Sequence, residues 1–80
     1  MNDGGIKMED ICLMFGKNVR KYRIAKGFSQ EEFASRVELH RTYISAVERG
    51  RRSIALENIK KIADALEVKV YKLFIFEEEQ

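Results

Sequence analysis

Between His40 and Arg52 the chain reads HRTYISAVERGRR, in which four arginines, two hydroxyl side chains and a tyrosine surround only Ile44, Ala46 and Val47 as aliphatic residues. A guanidinium presents a planar fork of donors that grips phosphate oxygens, or the O6 and N7 acceptors of guanine, in pairs. Hydroxyls of Thr42 and Ser45 add hydrogen bonds to the same kind of target. This is chemistry for holding a polyanion rather than for breaking a bond. The single histidine, His40, has no nucleophile, acid or metal partner at a telling spacing, and the single cysteine, Cys12, gives neither a zinc-ligand pattern nor an internal disulfide. No enzymatic activity, metal or cofactor is expected.

A segment that spends so few residues on a core must be braced by its neighbours, and the neighbours read as helices. Met8, Ile11, Phe15, Val19 and Tyr22 step by three, four, four and three, which lays one apolar stripe along a helix that Gly27 closes, with Lys26 beside its negative end. Ser29 and Glu32 form a capping box, and Phe28 and Phe33 stand where a hydrophobic staple needs them, so a second helix begins at Gln30 and runs to about Val37. A third covers Arg41 to Arg49, with Ile44 and Val47 inward, His40 as N-cap and Gly50 as stop. Leu56, Ile59, Ile62, Ala63 and Leu66 mark a fourth, poorly capped by Ala55. The pattern of VKVYKLFIF leaves a short helical turn and an edge strand equally open.

Eighty residues without proline or repeats make one small domain. Its expected extent is 8–76, between a loose arm at 1–7 and an acidic tail at 77–80. No apolar run approaches the roughly 20 residues of a membrane span, so a cytoplasmic protein with no membrane partner is expected. The formal charge of +2 conceals a division. From Lys17 to Lys61 there are 12 Lys/Arg and 5 Asp/Glu, a net of +7, while the ends hold 3 and 8, a net of −5. A basic middle between acidic ends suits a polyanion-binding face.

Two short helices joined by a tight turn, the second with a polar outer face, describe a helix-turn-helix. The stretch FSQEEFASRVELHRTYISAVERGRRSIALENIKKIADALEV resembles the phage-repressor-type helix-turn-helix family, the lambda and 434 repressor class. Within it, RTYIS followed by ER is similar to the controller proteins of bacterial restriction-modification systems. The resemblance spans about Phe15 to Phe74 and implies an all-α, five-helix repressor-like domain. It also implies a sequence-specific transcriptional regulator that binds operator half-sites on double-stranded DNA as a homodimer. Nucleoid association and contact with RNA polymerase during activation would follow. A rival reading keeps the same unit but makes it an antitoxin whose main partner is a toxin.

Residue by residue, the resemblance makes Gln30 a phosphate clamp at the start of the second helix. Arg41 and Thr42 become readers at the start of the third, Arg41 reaching a guanine and Thr42 a thymine methyl or a phosphate. Tyr43 and Ser45 position the helix against the backbone, and Arg49, Arg51 and Arg52 reach phosphates or a narrow minor groove. Arg36, Lys17 and Lys21 add long-range attraction. Arg23 and Glu48 match an internal salt bridge of the family. Glu38 departs from the pattern, because relatives often place glycine in that turn, and either a longer turn or absorbed strain is implied. Ala46 departs too, standing where some relatives put a base-reading glutamine. Val70, Leu73 and Phe74 would close the core, which leaves Tyr71, Ile75 and Phe76 for the dimer interface.

Overall fold

The computed structural model of the protein describes residues 8–76. The arm expected at 1–7 and the acidic tail at 77–80 lie outside those residues. Four α-helices follow one another, α1 (Met8–Ala25), α2 (Gln30–Val37), α3 (Arg41–Glu48) and α4 (Leu56–Leu66), and a 3₁₀ turn (Val70–Phe74) closes the chain. There is no strand among the described residues. The architecture is all-α, but the fifth element is a five-residue 3₁₀ turn rather than an α-helix. Apolar residues over so short a span bury one side chain, Leu73, and a tighter helix is adequate for that.

All four helices stop in the same way. Phe28, Leu39, Arg51 and Val68 each donate a backbone N–H to the carbonyl five residues earlier, and Gly27, Glu38, Gly50 and Glu67 each donate to the carbonyl three residues earlier. This double closure requires a left-handed residue, and φ is 81° at Gly27, 60° at Glu38, 73° at Gly50 and 60° at Glu67. The turn at Glu38 is therefore not lengthened to avoid strain. The next residue, Leu39, packs against the core and holds the backbone there. Glu67 behaves likewise, with Val68 as its apolar anchor. Lys26 Nζ lies 2.7 Å from Glu67 Oε1 and ties the ends of α1 and α4. That hydrogen bond and charge hold the Glu67 carboxyl below its ordinary pKa, so the bridge is complete at neutral pH and fades as pH falls through the lowered value. It lies at the surface and contributes little.

The N-cap of α2 forms as expected in one half only. Glu32 N–H donates to Ser29 Oγ at 3.0 Å, while the Glu32 carboxylate takes Arg36 Nη2 at 3.0 Å instead of returning to Ser29. Phe28 and Phe33 stack with centroids 6.3 Å apart, which fixes the entry of the chain into α2. Arg36 also lies over the Phe28 ring, its Cζ 4.3 Å from the centroid, so it is engaged within the protein rather than free for long-range attraction.

The core is built from Phe15 and Val19 of α1, Phe33, Ala34 and Val37 of α2, Ile44 and Val47 of α3, α4 residues and Leu73. Its closest backbone approach is between α1 and the end of α3. A Cβ at Gly16 would overlap the carbonyl oxygen of Val47 and lie 2.9 Å from that of Glu48, and a Cβ at Gly50 would lie 2.6 Å from Leu13 Cα. The absence of side chains at these two positions lets α1 sit directly on the C-terminal end of α3.

In helix interiors Gly→Ala ordinarily stabilises by about 1 kcal/mol. Here Gly16→Ala is expected to destabilise by about 2 kcal/mol, because the overlap is with backbone that cannot rotate away. Glu38→Gly should instead gain about 1 kcal/mol by relieving the left-handed penalty. Urea denaturation followed by circular dichroism reads both, and equal midpoints would refute the packing assignment.

Candidate nucleic-acid interface

The reading segment begins with a cap. His40 has extended backbone (φ −69°, ψ 144°), and its Nδ1 accepts from Thr42 N–H at 3.2 Å and lies 2.9 Å from Thr42 Oγ1. The capping geometry is that of the tautomer whose Nδ1 is the acceptor and whose Nε2 bears the hydrogen. The imidazole thus does the work that Ser or Asp does elsewhere, satisfying one of the free amides at the start of α3.

From this cap α3 turns Ile44, Val47 and Glu48 inward. Arg41, Thr42 and Arg49 are exposed, and Ser45 and Ala46 are half-buried between them. Their helical spacing places Arg41, Thr42, Ser45 and Arg49 on the side opposite the core. Arg51 and Arg52 are exposed in the loop that follows. Among the described residues the ion pairs use Arg23, Lys26, Arg36 and Lys60, and none involves Arg41, Arg49, Arg51 or Arg52. Four guanidinium groups on α3 and its loop therefore stand outside any internal ion pair.

The inner side of α3 is held by a buried polar cluster. Arg23 Nε donates to Glu48 Oε2 at 2.6 Å and Arg23 Nη2 to Glu48 Oε1 at 3.0 Å, a two-point pair in which the residues are 8% and 5% exposed. Arg23 Nη1 donates to the Phe28 carbonyl at 2.8 Å, and Gln30 Nε2 donates to Glu48 Oε1 at 3.0 Å. Thus α1 and the first turn of α2 meet on the carboxylate at the end of α3, while the loop between them is held to the same Arg23 guanidinium. Gln30 is not the free side chain that its sequence position suggested. One amide hydrogen is committed to Glu48, which leaves the second hydrogen and the backbone N–H for an external anion.

Tyr43 also differs from a simple surface contact. It is half-buried against the core, its Oη accepts from Asn58 Nδ2 at 3.1 Å, and Arg52 Cζ lies 4.8 Å from its ring centroid. The ring joins α3 to α4 and supports the guanidinium of Arg52 on its face, an attraction of about 0.5–1 kcal/mol at exposed sites. Nothing local in the sequence announced Asn58, whose partner lies 15 residues away. Gly16 did carry a signal. A glycine in a helix interior is unfavourable unless something approaches closely.

At the C-terminus Leu73 is the one fully buried side chain among the described residues, and the Phe74 ring lies 5.0 Å from that of Phe15 at the edge of the core. Val70 and Phe74, expected inside, are 37% and 38% exposed, and Tyr71 and Ile75 are 58% and 51% exposed. Phe76 is half-buried, its ring 6.3 Å from that of Phe74. The apolar surface here is larger than the sequence suggested, because a five-residue turn cannot point three side chains the same way.

Two short helices at a left-handed turn, the second braced from behind and presenting a cationic outer side, define a helix-turn-helix unit. The sequence matches the helix-turn-helix family over residues 19–73, and the chain belongs to that family of transcriptional regulators. Within the family its similarity extends to control proteins. Control protein C.BamHI of Bacillus amyloliquefaciens is 48% identical over 68 residues, which cover 84% of each chain. A hypothetical transcription factor of Neisseria meningitidis is 49% identical over 67 residues, and there the match spans 84% of this chain and 63% of the relative. The crystal structure of the restriction-modification controller protein C.AhdI from Aeromonas hydrophila has a TM-score of 0.77 at 44% identity, covering 79% of this chain and 96% of that one. No group of His, Cys, Asp or Glu among the described residues could hold a metal ion, and no described helix is long and apolar enough to cross a membrane.

Arg23→Ala leaves Glu48 buried without its partner and should cost about 3–5 kcal/mol in chemical denaturation. His40→Ala should cost about 1 kcal/mol and His40→Asp almost nothing, since Asp restores a cap acceptor. If His40→Asp is as unstable as His40→Ala, the imidazole is not acting as a cap.

Proposed function

We propose that the protein is the controller of a restriction-modification system, a homodimeric regulator that binds paired operator half-sites near the genes it governs. The observation that carries this reading is the set of arginines on α3 and its loop that stand outside any internal ion pair. Arg41, at the first turn of α3, is the base reader, its fork suited to guanine O6 and N7. Thr42 and Ser45 contact the duplex beside it, and Arg49, Arg51 and Arg52 hold phosphates or the minor groove on either side. Gln30 offers its remaining amide hydrogen to a phosphate at the start of α2. Tyr43 supports Arg52 and stands close enough to the same surface to contact backbone.

One reading helix discriminates among few base pairs, so two copies related by a two-fold axis on half-sites about one helical turn apart give useful selectivity. Tyr71, Ile75 and Phe76, with the exposed Phe74, supply the apolar surface that a second copy would cover. The domain 8–76 then contains both reading and dimerisation elements. Activation, as opposed to repression, would bring RNA polymerase into contact with the bound dimer on nucleoid DNA in the cytoplasm. The similarity to control proteins favours this assignment over a toxin-binding antitoxin.

An operator selected from random duplexes provides the test. Arg41→Ala should lose about 1–3 kcal/mol of preference for its base pair. Arg51→Ala should weaken all sequences alike and reduce the salt slope by about one. Replacing both Tyr71 and Ile75 with lysine should give a monomer in sedimentation equilibrium that no longer distinguishes paired from single half-sites. Unchanged base preference in Arg41→Ala would remove it as the reader.

A further inference from the structure

The C-terminal turn meets α1 through the Phe74 ring, 5.0 Å from that of Phe15, and through one polar side chain that holds its backbone. Asn18 is half-buried on α1, and its Nδ2 donates to the carbonyl oxygens of Leu73 at 2.9 Å and Ile75 at 3.0 Å. An amide nitrogen has two hydrogens, so both are spent on the same segment. Leu73 is the buried anchor of that segment, and Ile75 is the point at which the backbone leaves the 3₁₀ turn for an extended conformation (φ −86°, ψ 109°). Within its own turn the Ile75 N–H reaches the Lys72 carbonyl at 3.5 Å, a long contact, so the backbone beyond Phe74 leans on Asn18. Asn18 therefore determines where Ile75 and Phe76 stand relative to α1.

On the same helix, Arg23 holds the last residue of α3 through Glu48. Five residues of α-helix separate the two ties, a rise of about 7.5 Å along a rigid rod. The helix α1 is thus a strut, with the reading helix fixed at one station and the exposed apolar surface at another. In a two-fold complex the vector between those stations sets the separation and relative rotation of the two reading helices. Each base pair of spacer changes the separation of half-sites by about 3.4 Å and rotates one against the other.

We propose that Asn18 is a positioning residue for half-site spacing: by clamping the Leu73 and Ile75 carbonyls it fixes the geometry with which two copies meet, and so selects one operator spacing over its neighbours. The inference rests on the dimeric reading of the C-terminal surface given above. A residue that only stabilised the fold would weaken binding to every spacing alike when removed. A spacing determinant flattens the ratio between spacings while leaving base preference inside each half-site unchanged.

The test uses the full chain and palindromic duplexes carrying the selected half-site with the preferred spacer, or with one or two base pairs added or removed. Affinities are read by fluorescence anisotropy. In Asn18→Ala the ratio between preferred and shifted spacers should fall about tenfold, the scale set by two lost hydrogen bonds, while the effect of a base change within one half-site stays as in the native protein. Asn18→Gln, which keeps the two donors on a longer arm, secures the test if Asn18→Ala does not fold, and should shift or flatten the preference. A spacing ratio equal to the native one in whichever variant folds overturns the role of Asn18. Native protein that sediments as a monomer and binds single and paired half-sites equally overturns the dimeric reading itself, a result distinguishable from the first without any variant.

Discussion

The carboxylate of Glu48, removed from water at the end of α3, is the point on which the structure depends. A buried carboxylate is tolerated only if its charge and lone pairs are matched, and here the matching groups come from two other helices. Arg23 closes two hydrogen bonds from α1 and Gln30 a third from α2. Because the partners sit on different elements, satisfying this one charge fixes the angle of α3 against both neighbours. Hydrophobic contacts of Ile44 and Val47 hold the helix to the core, but they are non-directional. Direction comes from the ion pair.

The bracing explains how α3 can be so polar. A helix of eight residues has little stability of its own, and most of its outer side chains are turned away from the core. Its stability is borrowed: from the His40 cap at one end, the Glu48 cluster at the other, the close seating of Gly16 and Gly50 against neighbouring backbone, and the Tyr43 link to Asn58. Each support lies on the inner side or at an end, so none competes with the surface that faces outward. Two exposed cations on other helices show the contrast. Arg36 and Lys60 are each paired with an acid one helical turn away, whereas the arginines of α3 and its loop are not.

The same helix α1 that supports α3 also carries the tie to the C-terminal turn, which gives the molecule a simple mechanical organisation. Reading surface and apolar surface do not touch through a flexible connection; both are referred to one rod. This matters for a protein of 80 residues, whose core is too small to hold two functional surfaces rigidly by packing alone. The polar ties of Asn18 and Arg23 add direction to that packing.

Helix positions and the helix-turn-helix unit were legible in the sequence, because apolar periodicity, Ser29, His40, Gly27 and Gly50 act within a few residues of themselves. The cationic character of α3 was legible for the same reason. The left-handed backbone at Glu67 was not, and at Glu38 the resemblance left it open against a longer turn, since both are stabilised by Leu39 and Val68 reaching a core assembled from elsewhere. Nor were the commitment of Gln30 to Glu48, of Asn58 to Tyr43, or of Asn18 to Leu73 and Ile75, whose partners lie 18, 15, 55 and 57 positions apart. A side-chain amide has the same propensity whether it ends in solvent or on a distant carbonyl. Local order was thus written in the chain, while the choice of partner for each polar group, and the form of the final turn, waited for the helices to meet.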